Sequence, residues 1–202
     1  MSKSLMIVGG VLLLLVLLVF AGFSKYNTLV TLDEGVTGQW ANVENVYQRR
    51  ADLIPNLVET VKGYASHERE TLEGVVQARA KATQVTAELT PEAMNNPQAL
   101  QKFQAAQGEL SSALGRLMVV VEKYPDLKAN QNFLDLQTQL EGTENRIAVE
   151  RRRFNDLAKD FNAGIRRFPA SIIASIGGLQ KHAYFQAEEG AEKAPKVDFG
   201  GK

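Results

Sequence analysis

From Leu5 to Phe23 the chain reads LMIVGGVLLLLVLLVFAGF, without a charge or a hydrogen-bonding side chain. At 1.5 Å of helical rise per residue the run measures about 28 Å, close to the roughly 30 Å hydrocarbon core of a bilayer. It predicts a transmembrane helix bounded by Leu5 and Phe23. A cleaved signal peptide competes with this reading, since Lys3 supplies a charged start and Val19-Phe20-Ala21 an acceptable cleavage spacing. The run is longer than the usual core of a signal peptide, which favours a retained anchor. The amine and Lys3 flank one side, and Lys25 precedes Asp33 and Glu34 on the other. That balance places the amino terminus inside and the remainder on the extracytoplasmic side.

Past Ser24 the apolar spacing becomes helical, with almost no alternating strand pattern. Phe133, Leu140, Ile147, Phe154, Phe161 and Phe168 fall seven apart, and Leu136, Thr143, Glu150, Leu157 and Gly164 follow the first five by three. A strict seven-residue repeat keeps one seam turned toward a partner helix, so it reads as core. A second stripe passes through Leu100, Phe103, Leu110, Leu114, Leu117, Val121 and Tyr124. Asn95-Asn96-Pro97 marks its start and Tyr124-Pro125-Asp126 its end, because the residue before proline is pushed out of the α region. Upstream, Trp40, Val43, Tyr47, Ile54, Leu57, Val61 and Tyr64 keep the same spacing, followed by Val75, Ala78, Ala82 and Val85.

Pro55 interrupts this third stripe. A proline inside a helix removes a hydrogen bond and costs on the order of 3 kcal/mol. The register of the stripe continues across it, which favours a kink. Length matching favours a turn, since helices of about 28, 34, 27 and 40 residues make an elongated antiparallel up-and-down bundle. A kink would leave the Trp40 to Ile54 stripe to be covered by another subunit. The expectation is the turn, in an all-α fold: a single transmembrane helix at 1–24, a helical bundle at 25–185 and a polar tail at 186–202.

Composition excludes several chemistries. Twenty-three Lys and Arg against twenty-three Asp and Glu leave no net charge, hence no field to hold a nucleic-acid backbone. The absence of cysteine removes disulfides, thiolate metal sites and cysteine nucleophiles. His67-Glu68-Arg69-Glu70-Thr71 begins like the zinc signature H-E-x-x-H, but its fifth position is Thr71 and the chain's other histidine is His182. Phosphate-binding glycine loops and G-x-S-x-G are absent. No catalytic residue, cofactor or metal is expected, and the chain reads as a non-enzyme. Arg151-Arg152-Arg153, with Arg146, Lys159, Arg166 and Arg167, reads as a solvated helix face crossed by ion pairs, since no aromatic residues interleave for base stacking.

Arg50, Glu68 and Glu150 occupy seam positions where an apolar residue is expected, and a role in fixing register or subunit pairing is the sharper reading. Ile172, Ile173, Ile176 and Leu179 form an apolar face flanked by Arg166, Arg167, Lys181 and His182. In a four-helix path this segment returns to the membrane side, where such a face suits the bilayer interface or closes the bundle end. With a kink at Pro55 it would point away from the membrane and serve self-association. Within the tail, Val197 and Phe199 form a candidate recognition segment.

Several segments resemble the LemA family of bacterial membrane proteins: YNTLVTLDEGV (Tyr26 to Val36), QRRADLIPNLVETVKGYASHE (Gln48 to Glu68), VVVEKYPDLKANQNF (Val119 to Phe133) and LEGTENRIAVERRRFND (Leu140 to Asp156). Arg167-Phe168-Pro169 and Ala194-Pro195-Lys196-Val197-Asp198-Phe199 fit it too, and Ala93 to Gln101 is the least similar stretch. The resemblance implies an anchored helical bundle in the bacterial envelope and carries no catalytic residues. The expected partners are the lipid bilayer, further copies in a homo-oligomer and other envelope proteins, with lipid binding through Ile172 to Leu179 the alternative.

Overall fold

A computed structural model describes residues 3–90 and 93–186. The tail's Val197 and Phe199 lie outside them. The order is α1 (Lys3–Lys62), α2 (Arg69–Glu88), a 3-10 turn (Ala93–Asn95), α3 (Pro97–Val121), α4 (Pro125–Lys128), α5 (Gln131–Gly164) and α6 (Ala170–Ile176). The described residues hold no strand, so the fold is all-α.

α1 is a single 60-residue helix with Pro55 inside it, which overturns the expected turn at that position. Pro55 has no N–H for the Ala51 carbonyl one turn back, yet that carbonyl is served: Arg79 of α2 donates its Nε to Ala51 O at 2.7 Å. A side chain from a neighbouring helix thus replaces the lost backbone bond, and the helix continues. The chain reverses instead at Gly63 to Glu68, where Ala65 N bonds Val61 O at 2.8 Å and Tyr64 N bonds it at 3.0 Å. The first bundle helix is therefore longer, and the second shorter, than length matching suggested.

The Trp40 to Ile54 stripe needs no second subunit. Trp40, Val43, Tyr47 and Ile54 are buried within the chain, with α5 antiparallel to α1 along one flank and α2 along another. α2 in turn packs antiparallel on α3. Two clusters make the core: one around Trp40, Phe103, Phe154 and Phe161 toward the apolar run, the other around Ile54, Leu57, Leu110, Leu117 and Phe133 at the far end.

The start read from the sequence holds for α3, where the Asn96 side chain accepts from Gln98 N at 2.9 Å and Pro97 opens the helix. α5 starts at a cap the sequence reading did not name, Asn130, whose side chain accepts from Phe133 N at 3.1 Å. The α5 seam runs through buried Phe133, Ile147, Phe154 and Phe161 but stops before Phe168, which is 81% exposed. The helix ends at Gly164, and the following turn swings Phe168 off the seam. Tyr64 likewise lies past the end of α1 and is exposed.

Candidate functional site

Because α1 leads away from the apolar run, α2 returns, α3 leads away and α5 returns, the end of α5 and all of α6 lie beside the end of that run. Gly164 of α5 sits where a Cβ would meet Leu29 Cδ2 at 3.2 Å, and Gly177, just past α6, sits where one would come within 2.6 Å of Tyr26 Cε2. Ile173, Ile176 and Gly177 share a groove with Val19, Phe23 and Tyr26. α6 thus adjoins the apolar run even though α1 is unbroken, because the reversal at Gly63 to Glu68 supplies the turn that Pro55 does not. Of the face Ile172, Ile173, Ile176 and Leu179, the first and third stand exposed while Ile173 and Leu179 are half-buried.

After α6 the chain runs extended between α3 and α5 as far as Gln186. Gly178, at φ 70°, lets it leave the helix. Three carboxamides then grip its backbone, each reaching both the N–H and the C=O of one residue. Asn162 binds His182 (2.9 and 3.0 Å), Asn155 binds Phe185 (3.0 and 2.9 Å) and Gln104 binds Gln186 (3.0 and 3.3 Å). A single extended strand has no ladder neighbour, so these amides do the work of one. Phe185 closes an aromatic cluster with Trp40 (6.1 Å, stacked), Phe154 (5.4 Å) and Phe103 (6.3 Å), and Arg151 lies over its ring at 4.9 Å. His182, buried, places Nε2 2.7 Å from Asp33 Oδ1. Sequence reasoning missed this strap; Asn155 and Asn162, seven apart beside the α5 seam, were its only signal.

The three seam charges lie in different places. Arg50 is 2% exposed and joins all four long helices. It reaches Glu144 of α5 at 2.9 Å and Ser111 of α3 at 3.0 Å, and donates to the Gln107 side chain, whose Nε2 continues to Thr86 of α2 at 3.1 Å. Glu150 is half-buried and accepts from Gln39 of α1 at 2.7 Å and from Arg153 at 2.9 Å. Glu68 caps the far end, just before α2, where Tyr124 donates to it at 3.3 Å. Burial pushes the Tyr47 phenol, beside Arg50, above its ordinary value, against the pull of Arg151 and Arg50. Gln107, Thr86 and Ser111 carried no signal of this layer in the sequence.

Among the described residues no three His, Asp or Glu side chains gather where a metal would fit, and His67 lies in the exposed turn before α2. One helix among the described residues, α1, is long and apolar enough to cross a membrane, and its large side chains from Ile7 to Phe23 all stand exposed. This defines a membrane-type protein: a helical bundle built on the continuation of an apolar helix. The sequence model of the LemA family matches residues 39–199, and the chain belongs to that family. It is 29% identical over 177 residues to "Magnetosome protein MamQ 2" of Paramagnetospirillum magneticum, covering 80% of this chain and 65% of the relative. It is 28% identical to "Magnetosome protein MamQ" of Magnetospirillum gryphiswaldense (80% and 64%) and 26% identical to "Protein LemA" of Metamycoplasma hominis (84% and 73%). The chain thus spans somewhat less than two thirds of the length of the magnetosome relatives.

Proposed function

We propose that this is a single-pass, non-enzymatic membrane protein whose bundle self-associates or gathers partners at the membrane surface, with the amino terminus on the cytoplasmic side. The observation that carries the reading is the continuity of α1. One helix holds both the apolar run and the innermost seam of the bundle, so the bundle stands on the membrane as a rod whose far end lies about 58 Å beyond Phe23. The heptad seams are closed within the chain, so association uses outer surfaces. At the far end, Val58, Leu72 and Val76 floor a groove edged by Glu59, Lys62 and Arg69, an apolar centre with a charged rim of the kind protein interfaces use. A second reading, contact with lipid through Ile172 to Leu179, draws on the seat of α6 beside Phe23.

The test is the mass of the full chain in mild detergent across a range of concentrations, with the co-purifying proteins identified. A multiple of the chain mass, or a defined partner, is expected. A bare monomer at every concentration overturns the reading. Sidedness is checked separately: a single cysteine replacing Asn132 should react with a membrane-impermeant maleimide in intact cells, and labelling only after lysis would reverse the orientation.

A further inference from the structure

α6 buries Ala174 and half-buries Ile173 against the bundle, but leaves Ile172 and Ile176 uncovered. Ile172 and Ile176, four apart on one face, are 54% and 83% exposed, and Phe168 just before the helix is 81% exposed. An apolar patch of this kind marks an interaction surface, and its position says which. The groove that Ile173 and Ile176 line is completed by Val19 and Phe23 of the apolar run. Val19 lies four residues, about 6 Å, inside the end of that run. A bilayer deep enough to cover Leu5 to Phe23 therefore reaches α6 as well. Immediately on the bundle side, Lys25 and Arg167 share a recess with Phe168, and Asp160 is the acidic group facing them there. Arg166 is exposed beside it. Long cations next to an apolar patch place their stems along it and their charges at the lipid phosphates.

We propose that Phe168 and α6 form a second, monotopic contact with the bilayer. Ile172 and Ile176 lie among the acyl chains of the leaflet that holds Phe23, and Phe168 lies with Lys25, Arg166 and Arg167 at its interface, the cations at the phosphates. This contact fixes the rotation and tilt of the bundle about α1, which one spanning helix leaves free. The inference rests on α1 being a membrane anchor, and the experiment separates the two.

The chain has no cysteine, so single probes are simple to install. Full-length Phe20→Cys, Ile176→Cys and Asn132→Cys proteins, each carrying an environment-sensitive fluorophore, are reconstituted into phosphatidylethanolamine and phosphatidylglycerol vesicles. They are then quenched by aqueous iodide or by nitroxide-labelled lipid. All three positions are outward-facing, so labelling leaves the core untouched. The expected result is that Ile176 follows Phe20, with several-fold weaker iodide quenching than Asn132 and strong quenching by the lipid nitroxide. If Phe20 is lipid-quenched and Ile176 behaves like Asn132, the α6 contact is overturned and the anchor stands. If Phe20 is also open to iodide, the anchor fails and the inference falls with it.

Discussion

Replacing Arg79 by methionine keeps most of the aliphatic bulk of the side chain on α1 but removes the donor that serves Ala51 O at 2.7 Å. Ala51 is buried, so water does not readily take the donor's place. A lost charge-assisted hydrogen bond that leaves a buried acceptor unpaired costs about 1.5–3 kcal/mol. The same substitution in a Pro55→Ala background should cost well under 1 kcal/mol, because the alanine N–H then reaches the Ala51 carbonyl along the helix. Pro55→Ala alone should stabilise by up to about 3 kcal/mol from restored helix geometry, less the 0.4–1 kcal/mol that proline contributes by restricting the unfolded chain. The double-mutant cycle should therefore show a coupling of about 1–2 kcal/mol, within the range of directly interacting groups. Urea unfolding of the four full-length proteins in detergent, followed by circular dichroism at 222 nm, measures it. Equal costs of Arg79→Met in both backgrounds would refute the reasoning, since Arg79 would then act by packing or charge and not by replacing the bond proline removes.

Four further outcomes are expected. Arg50→Met should destabilise by about 1–3 kcal/mol, mainly by stranding the buried Gln107 carbonyl, because Glu144 is 53% exposed and returns to water; adding Gln107→Leu should recover most of the loss in the same unfolding assay. Asn155→Ala and Asn162→Ala each remove two hydrogen bonds to the strap, a loss of about 2 kcal/mol at about 1 kcal/mol per bond, and hydrogen exchange should accelerate at residues 179–186 while the centre of α5 stays protected. Gly177→Ala drives a methyl against Tyr26, so exchange in α6 should rise and fall back when Tyr26→Ser is added. The buried Tyr47 phenol has its pKa raised on folding. It thus contributes stability that is complete below the unfolded-state value of 10.0 and is lost as pH rises through the folded value, and Tyr47→Phe should show a smaller loss above that pH.

The seven-step stripes were legible because helical burial is periodic: Phe133, Ile147, Phe154 and Phe161 had one way to share a face. The cap of α3 was signalled by Asn95-Asn96-Pro97, whereas Asn130 at the start of α5 was not singled out. The apolar run from Leu5 to Phe23 was plain from length alone. Where the text misled was at Pro55 and Phe168. Proline's penalty is local and visible, but its relief comes from Arg79, twenty-four residues on. Phe168 kept the count of seven after α5 had ended, since a count does not register where a helix stops.

The candidate site was legible as a list and not as a place. Ile172, Ile173, Ile176 and Leu179 announced an apolar face, yet which end of the bundle held it depended on the number of chain reversals, and so on the turn at Gly63 to Glu68. Beyond the seven-residue spacing of Asn155 and Asn162 the strap left no trace, because its partners, Gln104, Asn155 and Asn162, are ordinary polar residues on two helices that become a pair only when α3 and α5 stand side by side. Arg50 was noticed as a misfit on a seam, whereas its meeting with Gln107, Thr86, Ser111 and Glu144 required four helices in register.

The sequence by itself determined that the chain is helical, that one segment is built for a hydrocarbon solvent and which residues line the seams, because hydrophobic burial and backbone geometry act over a few neighbouring residues. The tertiary structure alone decided where the chain turns, which end α6 occupies and which polar groups satisfy one another. Those depend on hydrogen bonds and contacts between residues far apart in the chain, and no local pattern encodes a partner that has yet to arrive.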